Sequence, residues 1–382
     1  MYPGTGFQTQ HVSFLRTEVR QPLLAGRGSG VTAAAGPAAL NRGQLGRGVA
    51  VAQFEQEIAD AELEAKLQLL VRQVQQAYWD LWLAQQELLS LSASRDSAKE
   101  LLDRVRARTA AGLPGGDAAN EAQAEEVYLQ RESAVNDATV AVLQQAGRTR
   151  RLVGLPAADQ RVLTAVQSPF DGEVILDWHA SAGMAIQQRA ELRQQQKRVE
   201  VLGMQLAAAD NLTQPQLDLV AGAQLNGFGD EAIGANSGGV VNSLLSGDHV
   251  GWSVGLEFST PLGLRSAHAR RRYLCERLSK ARAVAIAQQQ EVQHELNHSF
   301  HEVDRTFKNL QIATQRRAAA LRRERAADAD FEAGRTSVDL LLRAQASRAE
   351  AERSYVSSLV GYNKALVELK YREGSLLAES CR

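Results

Sequence analysis

The chain has 382 residues, with 43 Lys and Arg against 44 Asp and Glu, and two cysteines. The balanced charge excludes a histone-like protein, because no overall positive field attracts nucleic acid. Two cysteines exclude a disulfide framework. Aromatic residues make up only 5% of the chain, which is rich in alanine, and this composition favours long helices packed by small side chains.

The sequence shows neither a helical membrane span nor the pattern of an export signal in its first residues. No apolar run reaches the roughly 18–20 residues that cross a bilayer as a helix. The first residues, Met1 to Gly4, carry neither a basic start nor the apolar core of an export signal. Helical membrane spans are therefore not expected.

The sequence contains a tandem repeat. A shift of 222 positions brings Gly112 onto Gly334 and Asp117 onto Asp339 without gaps. We therefore divide the chain into a first repeat over residues 1–153, a connector over 154–184 and a second repeat over 185–382.

Each repeat contains one very long helix. Residues 45–111 and 264–333 lack proline, and their apolar positions recur at spacings of three and four. At 1.5 Å per residue, each helix is about 100 Å long. Helices of this length exceed an ordinary domain, so we expect them to pack on one another as coiled coil.

A turn and a return helix follow each long helix. Gly112 and Gly334 end the long helices, and Asp117 precedes the first return helix. Thr336, followed three residues later by Asp339, predicts a hydroxyl cap on the second. The return helices are predicted over 118–153 and 338–372, so each repeat forms an antiparallel helical hairpin.

Three segments have the pattern of amphipathic strands, at 12–24, 214–226 and 250–260, and a shorter helix is predicted over 185–212. The third strand alternates most clearly. Its apolar positions are Val250, Trp252, Val254, Leu256 and Phe258.

A soluble sheet that covers the helices would show the same alternating pattern. However, each strand has the length that crosses a bilayer at a tilt, and lipid would cover its apolar side. Strands in lipid must close into a barrel, and one chain supplies too few, so an oligomer is expected.

Several short motifs occur in a set order and spacing along the chain. They are Gln21-Pro22-Leu23-Leu24, Ala77-Tyr78-Trp79-Asp80-Leu81, Arg189-Ala190-Glu191-Leu192-Arg193, Pro215-Gln216-Leu217-Asp218-Leu219, and Ala333-Gly334 with Asp339. Together, in this order and spacing, they resemble the TolC-like outer membrane efflux proteins. The resemblance covers nearly the whole chain.

This resemblance implies a mainly α-helical fold with a small β part. A homotrimer would form a twelve-strand barrel in the outer membrane, with four strands from each subunit, above a periplasmic α-barrel tunnel. It implies a passive channel for efflux or type I secretion, docked to a periplasmic adaptor and an inner membrane transporter. The apolar positions of the third strand would face lipid. The turn residues Gly112, Asp117, Gly334, Thr336 and Asp339 would form the periplasmic tip that meets the adaptor.

The first repeat departs from this pattern. By internal symmetry with 185–226, one helix and one strand are missing before Val12, together with an export signal. We expect a chain that is truncated at its N-terminus.

One segment is typical of a different protein class. Residues His294 to His298 read H-E-x-x-H on a helix, where two imidazoles share a face and could hold zinc beside a glutamate base. The motif lies in the middle of a long helix, with His301 as a third imidazole on the same face. A zinc protease is not expected. The alternatives are that the imidazoles bind a metal ion without catalysis, or that they simply form a solvated or packed face of the helix. We expect no catalytic residue, cofactor or resident metal, and no nucleic-acid partner.

Two other functions remain open. Ser168 to Val174 resembles half of a lipoyl-type domain, which favours a periplasmic adaptor, although no second half follows the hairpin. The missing export signal favours a soluble coiled-coil scaffold, which the amphipathic strands oppose.

Overall fold

The structure is a computed structural model that describes residues 11–36, 48–112, 117–157, 162–229, 239–260 and 265–377. Its elements are β1 (His11–Pro22), α1 (Ser29–Ala35), α2 (Val49–Ala110), α3 (Ala118–Val153), α4 (Trp178–Gln188), α5 (Ala190–Asn211), β2 (Gln216–Gly229), α6 (Val240–Ser246), β3 (Val250–Ser259), α7 (Arg265–Glu332) and α8 (Val338–Glu373). The predicted class, mainly α with a small β part, is confirmed.

The chain forms two compact units. The sheet unit comprises residues 1–60 and 194–286, and the hairpin unit comprises 61–193 and 287–382. Each predicted repeat contributes residues to both units. The repeats are defined by similarity of sequence, whereas the units are defined by which residues lie close together in space.

In the sheet unit, β1, β2 and β3 form an antiparallel sheet in that order. Two small apolar clusters pack the helices of this unit. Ala34 and Ala35 of α1 contact Ala208 and Leu212 near the end of α5. A second cluster joins Leu202 and Ala209 of α5 to Leu274 and Leu278 of α7.

In the hairpin unit, the long helices pair with their return helices in antiparallel fashion. On the first pair, Arg106 of α2 contacts Glu121 of α3 at 3.2 Å, whereas Thr149 donates to the Ala77 carbonyl at 3.4 Å. On the second pair, Arg317 contacts Glu352 at 2.6 Å, and Arg348 contacts Glu324 at 2.8 Å. Two helical hairpins therefore lie in this unit.

The connector between the repeats includes an extended segment that two amide side chains hold. Gln85 of α2 accepts from the Ala165 N–H at 3.1 Å and donates to the Leu163 carbonyl at 3.1 Å. Asn363 of α8 binds the N–H and the carbonyl of Phe170 at 2.9 and 2.8 Å. These contacts satisfy backbone groups that lack a sheet partner.

Two helices, α4 and α5, stand where the sequence predicts a single one over 185–212. The first begins within the predicted connector, at Trp178, because Asp177 caps it by accepting from the N–H groups of His179 and Ala180 at 2.9 and 3.2 Å. The break lies at Arg189, whose backbone is extended and whose side chain reaches Glu295 of α7 at 2.6 Å. Local sequence does not reveal this long-range ion pair. The other observed bounds differ from the predicted ones by at most four residues.

Candidate functional site

The strand register places apolar side chains together on one side of the sheet. Phe258 lies opposite Leu217, and Leu256 lies opposite Leu219. On β1, Leu15 lies opposite Leu225. Because directly opposed residues share a face, the alternating apolar positions of β3 share one surface with apolar positions of β1 and β2, and we call this surface the apolar sheet face. It comprises Leu15, Val19, Leu217, Leu219, Ala221, Ala223, Leu225, Val250, Trp252, Val254, Leu256 and Phe258.

The β3 part of the apolar sheet face is uncovered. Trp252 is 80% exposed, and the other four β3 members are each more than half exposed. On β1, Val19 is 65% exposed. A contiguous exposed surface of this kind marks an interaction with lipid or with another chain.

The opposite side of the sheet carries a network of ion pairs across all three strands, and toward one end of β1 and β2 it also exposes Val12, Phe14 and Phe228. Arg20 of β1 contacts Asp218 of β2 at 3.2 Å and Glu257 of β3 at 2.9 Å. Glu18 lies between Arg16 and Arg20, at 3.0 and 3.3 Å.

Sequence reasoning did not single out these charged residues. Strand alternation alone placed Asp218 and Glu257 on the polar side, but their partner on β1 depends on the register. Asp218 is buried, and in the described part of the chain one of its carboxylate oxygens lacks a hydrogen-bond partner.

The predicted tip residues lie at the ends of the two hairpins. Gly112 and Gly334 have φ angles of 65° and 68°, the left-handed conformation that glycine adopts at low cost. After Gly334, Arg335 donates its backbone N–H to the Asp330 carbonyl at 2.8 Å, which closes the helix end. Residues 113–116 of the first turn lie outside the described residues.

The caps of the return helices differ from each other. Asp117 accepts from the Asn120 N–H at 2.7 Å and caps α3. The capping residue of α8 is Ser337 rather than Thr336, and its side chain makes no capping hydrogen bond. Asp339 instead contacts Arg343 one turn later at 2.9 Å. The predicted hydroxyl cap at Thr336 is wrong, because the residue directly before the first helical residue, Val338, is Ser337.

The two hairpin ends share one apolar core, which we call the tip core. Its buried members are Leu101, Leu102, Val105, Ala124, Ala327, Phe331, Val338, Leu341, Leu342 and Ala344. The core draws on α2, α3, α7 and α8, so the two turns lie at the same end of the hairpin unit.

Complementary charges join α2 to α7 beside the tip core. Arg104 contacts Asp328 at 3.2 Å and Glu332 at 2.7 Å. The Arg108 guanidinium lies 4.2 Å from the centre of the Phe331 ring. Burial lowers the pKa of Arg104, but hydrogen bonds to Glu332 and Asp328 raise it more, so that its pKa is raised overall. The charge is therefore permanent at this junction.

The H-E-x-x-H segment does not have the arrangement of a protease site. Glu295 contacts Arg189 at 2.6 Å and Arg372 at 2.7 Å. Burial raises the pKa of Glu295, but the two arginines lower it more, and the net shift is downward. A carboxylate held in this way is a poor general base.

Among the described residues, none of the helices has an apolar stretch long enough to span a membrane.

The sequence matches no protein-family model and no curated protein. Solved structures do match. The outer-membrane channel OprN is 18% identical, with 96% of this chain and 82% of that one covered at a TM-score of 0.70. The outer membrane protein VceC from Vibrio cholerae is 16% identical over 96% and 87% of the two chains, with a TM-score of 0.68. CusC, studied for its folding and transmembrane channel formation, is 13% identical over 96% and 83%, with a TM-score of 0.72. The chain therefore has the same fold as these three solved structures.

Proposed function

We propose that this chain is a subunit of an outer membrane channel for efflux or type I secretion, a passive conduit without enzymatic activity. The observation that carries the proposal is the sheet, whose exposed apolar face lies opposite a face of paired charges. Lipid would cover the first, and a water-filled lumen would solvate the second.

Closure of the sheet requires further strands. As the outer strands of the three-stranded sheet, β1 and β3 each have one partner in the described part of the chain. Unpaired backbone groups in hydrocarbon cost several kcal/mol each, about the cost of an unmade hydrogen bond in an apolar medium. Copies of the chain arranged around an axis would pair these edges, and we propose a homotrimer in contact with outer membrane lipid.

The hairpin unit would line the periplasmic part of the conduit. We propose that its tips, with Gly112, Asp117, Gly334, Thr336 and Asp339, contact a periplasmic adaptor that links the channel to an inner membrane transporter. The exposed ion pair between Asp339 and Arg343 lies on the second tip, where it is accessible to such a partner.

Adjacent positions on β3 give a matched test, because Val254 and Ser253 lie on opposite sides of the sheet. A charged residue on the lipid side of a barrel costs up to about 2–4 kcal/mol at the membrane midplane, and less for Asp than for Arg or Lys. We expect Val254→Asp to lose most of the outer membrane-integrated, heat-modifiable oligomer, and Ser253→Asp to retain it.

Membrane fractionation and electrophoresis of heated and unheated samples would measure this difference, with single-channel conductance of the purified protein as the functional readout. Equal behaviour of the two variants would contradict a lipid-facing role of the apolar sheet face. A soluble wild-type protein would favour the scaffold, and a membrane-associated protein without a heat-modifiable oligomer would favour the adaptor.

A further inference from the structure

A pair of imidazoles on α7 is left unused by the proposed channel function. His294 and His298 are one helical turn apart, a spacing that brings the Cβ atoms of a helix to about 5–6 Å. Both are exposed and line one open groove of about 530 Å³ between α7 and α8. The groove lies within the hairpin unit.

The charges around the groove separate into engaged and available groups. Glu295 and Glu368 are held by arginines, with Arg372 contacting both at 2.7 and 2.8 Å. Glu302 is paired with Arg305 at 2.5 Å. In the described ranges, neither the His294 nor the His298 imidazole forms a hydrogen bond, although Glu302 interacts electrostatically with His298. The two imidazoles, together with the carboxylate of Glu291, are therefore the groups of this groove that no arginine engages.

We propose that His294 and His298 together chelate one divalent transition-metal ion of the Ni²⁺, Cu²⁺ and Zn²⁺ class. Imidazole nitrogen suits these ions, and two imidazoles one turn apart can reach the same ion. The carboxylates of Glu291 and Glu302, one turn before and one turn after the pair, add negative potential to the groove.

The site would bind its ion without hydrolytic chemistry. Across the described residues, no group of three or more His, Cys, Asp or Glu side chains is arranged to hold a metal. Water would therefore complete the coordination of an ion held by two imidazoles, which makes the ion exchangeable. Glu295, the glutamate of the H-E-x-x-H segment, is engaged by Arg189 and Arg372 and would not act as a base.

The test is a Ni²⁺ titration of the purified full chain after removal of metals with a chelator. Calorimetry would measure the stoichiometry and affinity, and Cu²⁺ electron paramagnetic resonance would count the bound nitrogens. The variants are His294→Ala and His298→Ala. His301→Ala is the matched control, because it removes an exposed imidazole from the same helix that does not line the groove. Circular dichroism would verify that the helical content of each variant is unchanged.

We expect one site per chain, two coordinated imidazole nitrogens, and at least a tenfold loss of affinity in each single groove variant. The affinity of His301→Ala should remain within twofold of wild type. The inference would be overturned by wild-type binding weaker than millimolar, by groove variants that bind like wild type, or by an equal loss in His301→Ala. The outcome is independent of the proposed channel function.

Discussion

At the scale of single residues, the break between α4 and α5 depends on one buried arginine. The Arg189 side chain is only 7% exposed, and its guanidinium is paired with Glu191 and Glu295. A buried charge that loses its partner destabilises the folded chain, so we expect substitutions of the acidic partners of Arg189 to lower the stability of the hairpin unit.

We expect Glu295→Gln to lower the free energy of unfolding by about 1–3 kcal/mol, because Arg189 and Arg372 would lose a charged acceptor. The lower part of this range is favoured, since the Glu295 side chain is about a quarter exposed. Thermal unfolding followed by circular dichroism would measure the change. Glu291→Gln is the control, an exposed position on the same helix, and should change stability by less than about 0.5 kcal/mol.

The stability difference between wild type and Glu295→Gln should depend on pH. The pKa of Glu295 is lowered in the folded chain, so its contribution to stability is fully present above the unfolded pKa. That contribution is lost as the pH falls through the folded pKa. The stability difference between wild type and Glu295→Gln should therefore shrink in acid, and a difference that grows in acid would contradict the assignment.

At the scale of elements, the sequence predicted the long helices because proline is absent from 45–111 and 264–333 and the apolar spacing is regular. The ends of these helices were also predictable, because Gly112 and Gly334 adopt the positive φ angles that favour glycine at a helix end. The start of α4 has a local signal, the Asp177 cap, which the predicted connector overlooked. The break at Arg189 was not predictable, because its ion pair with Glu295 is a long-range contact that local propensity does not contain. Likewise, alternation indicated which residues of a strand share a side, whereas the pairing of Arg20 with Asp218 required the register.

The repeat has diverged at the tips in a way that joins its two copies. The end of α2 carries Arg104 and Arg108, whereas the end of α7 carries Asp328 and Glu332. The contacts of Arg104 with both acids connect the hairpins beside the tip core.

We expect Arg104→Ala to loosen the end of α7, because the two partly exposed ion pairs of Arg104 each contribute up to about 1 kcal/mol. Hydrogen exchange with mass spectrometry should show amides near Asp328 and Glu332 exchanging about twofold to fivefold faster. Arg106→Ala is the matched control, since Arg106 contacts Glu121 and Glu125 of α3 instead. Equal acceleration at the end of α7 in both variants would mean that Arg104 does not join the hairpins.

At the scale of the whole molecule, the proposed assembly is a closed ring of copies. Native mass spectrometry of the detergent-solubilised protein should give three chains of 41.5 kDa. Val254→Asp should shift the population toward the single chain, because copies that fail to insert cannot pair their strand edges. A wild-type protein that remains a single chain in the membrane fraction would contradict the trimer.

The most direct test of the central claim is quenching of Trp252 fluorescence by lipids with brominated acyl chains, which act only at short range. In reconstituted vesicles, wild-type fluorescence should be quenched. The quenched fraction should fall sharply in Trp252→Phe. It should persist in Trp178→Phe, because the wild-type Trp178 indole packs against Phe300 inside the hairpin unit. Quenching that is absent from wild type, or unchanged in Trp252→Phe, would show that β3 does not face hydrocarbon and would contradict the channel assignment.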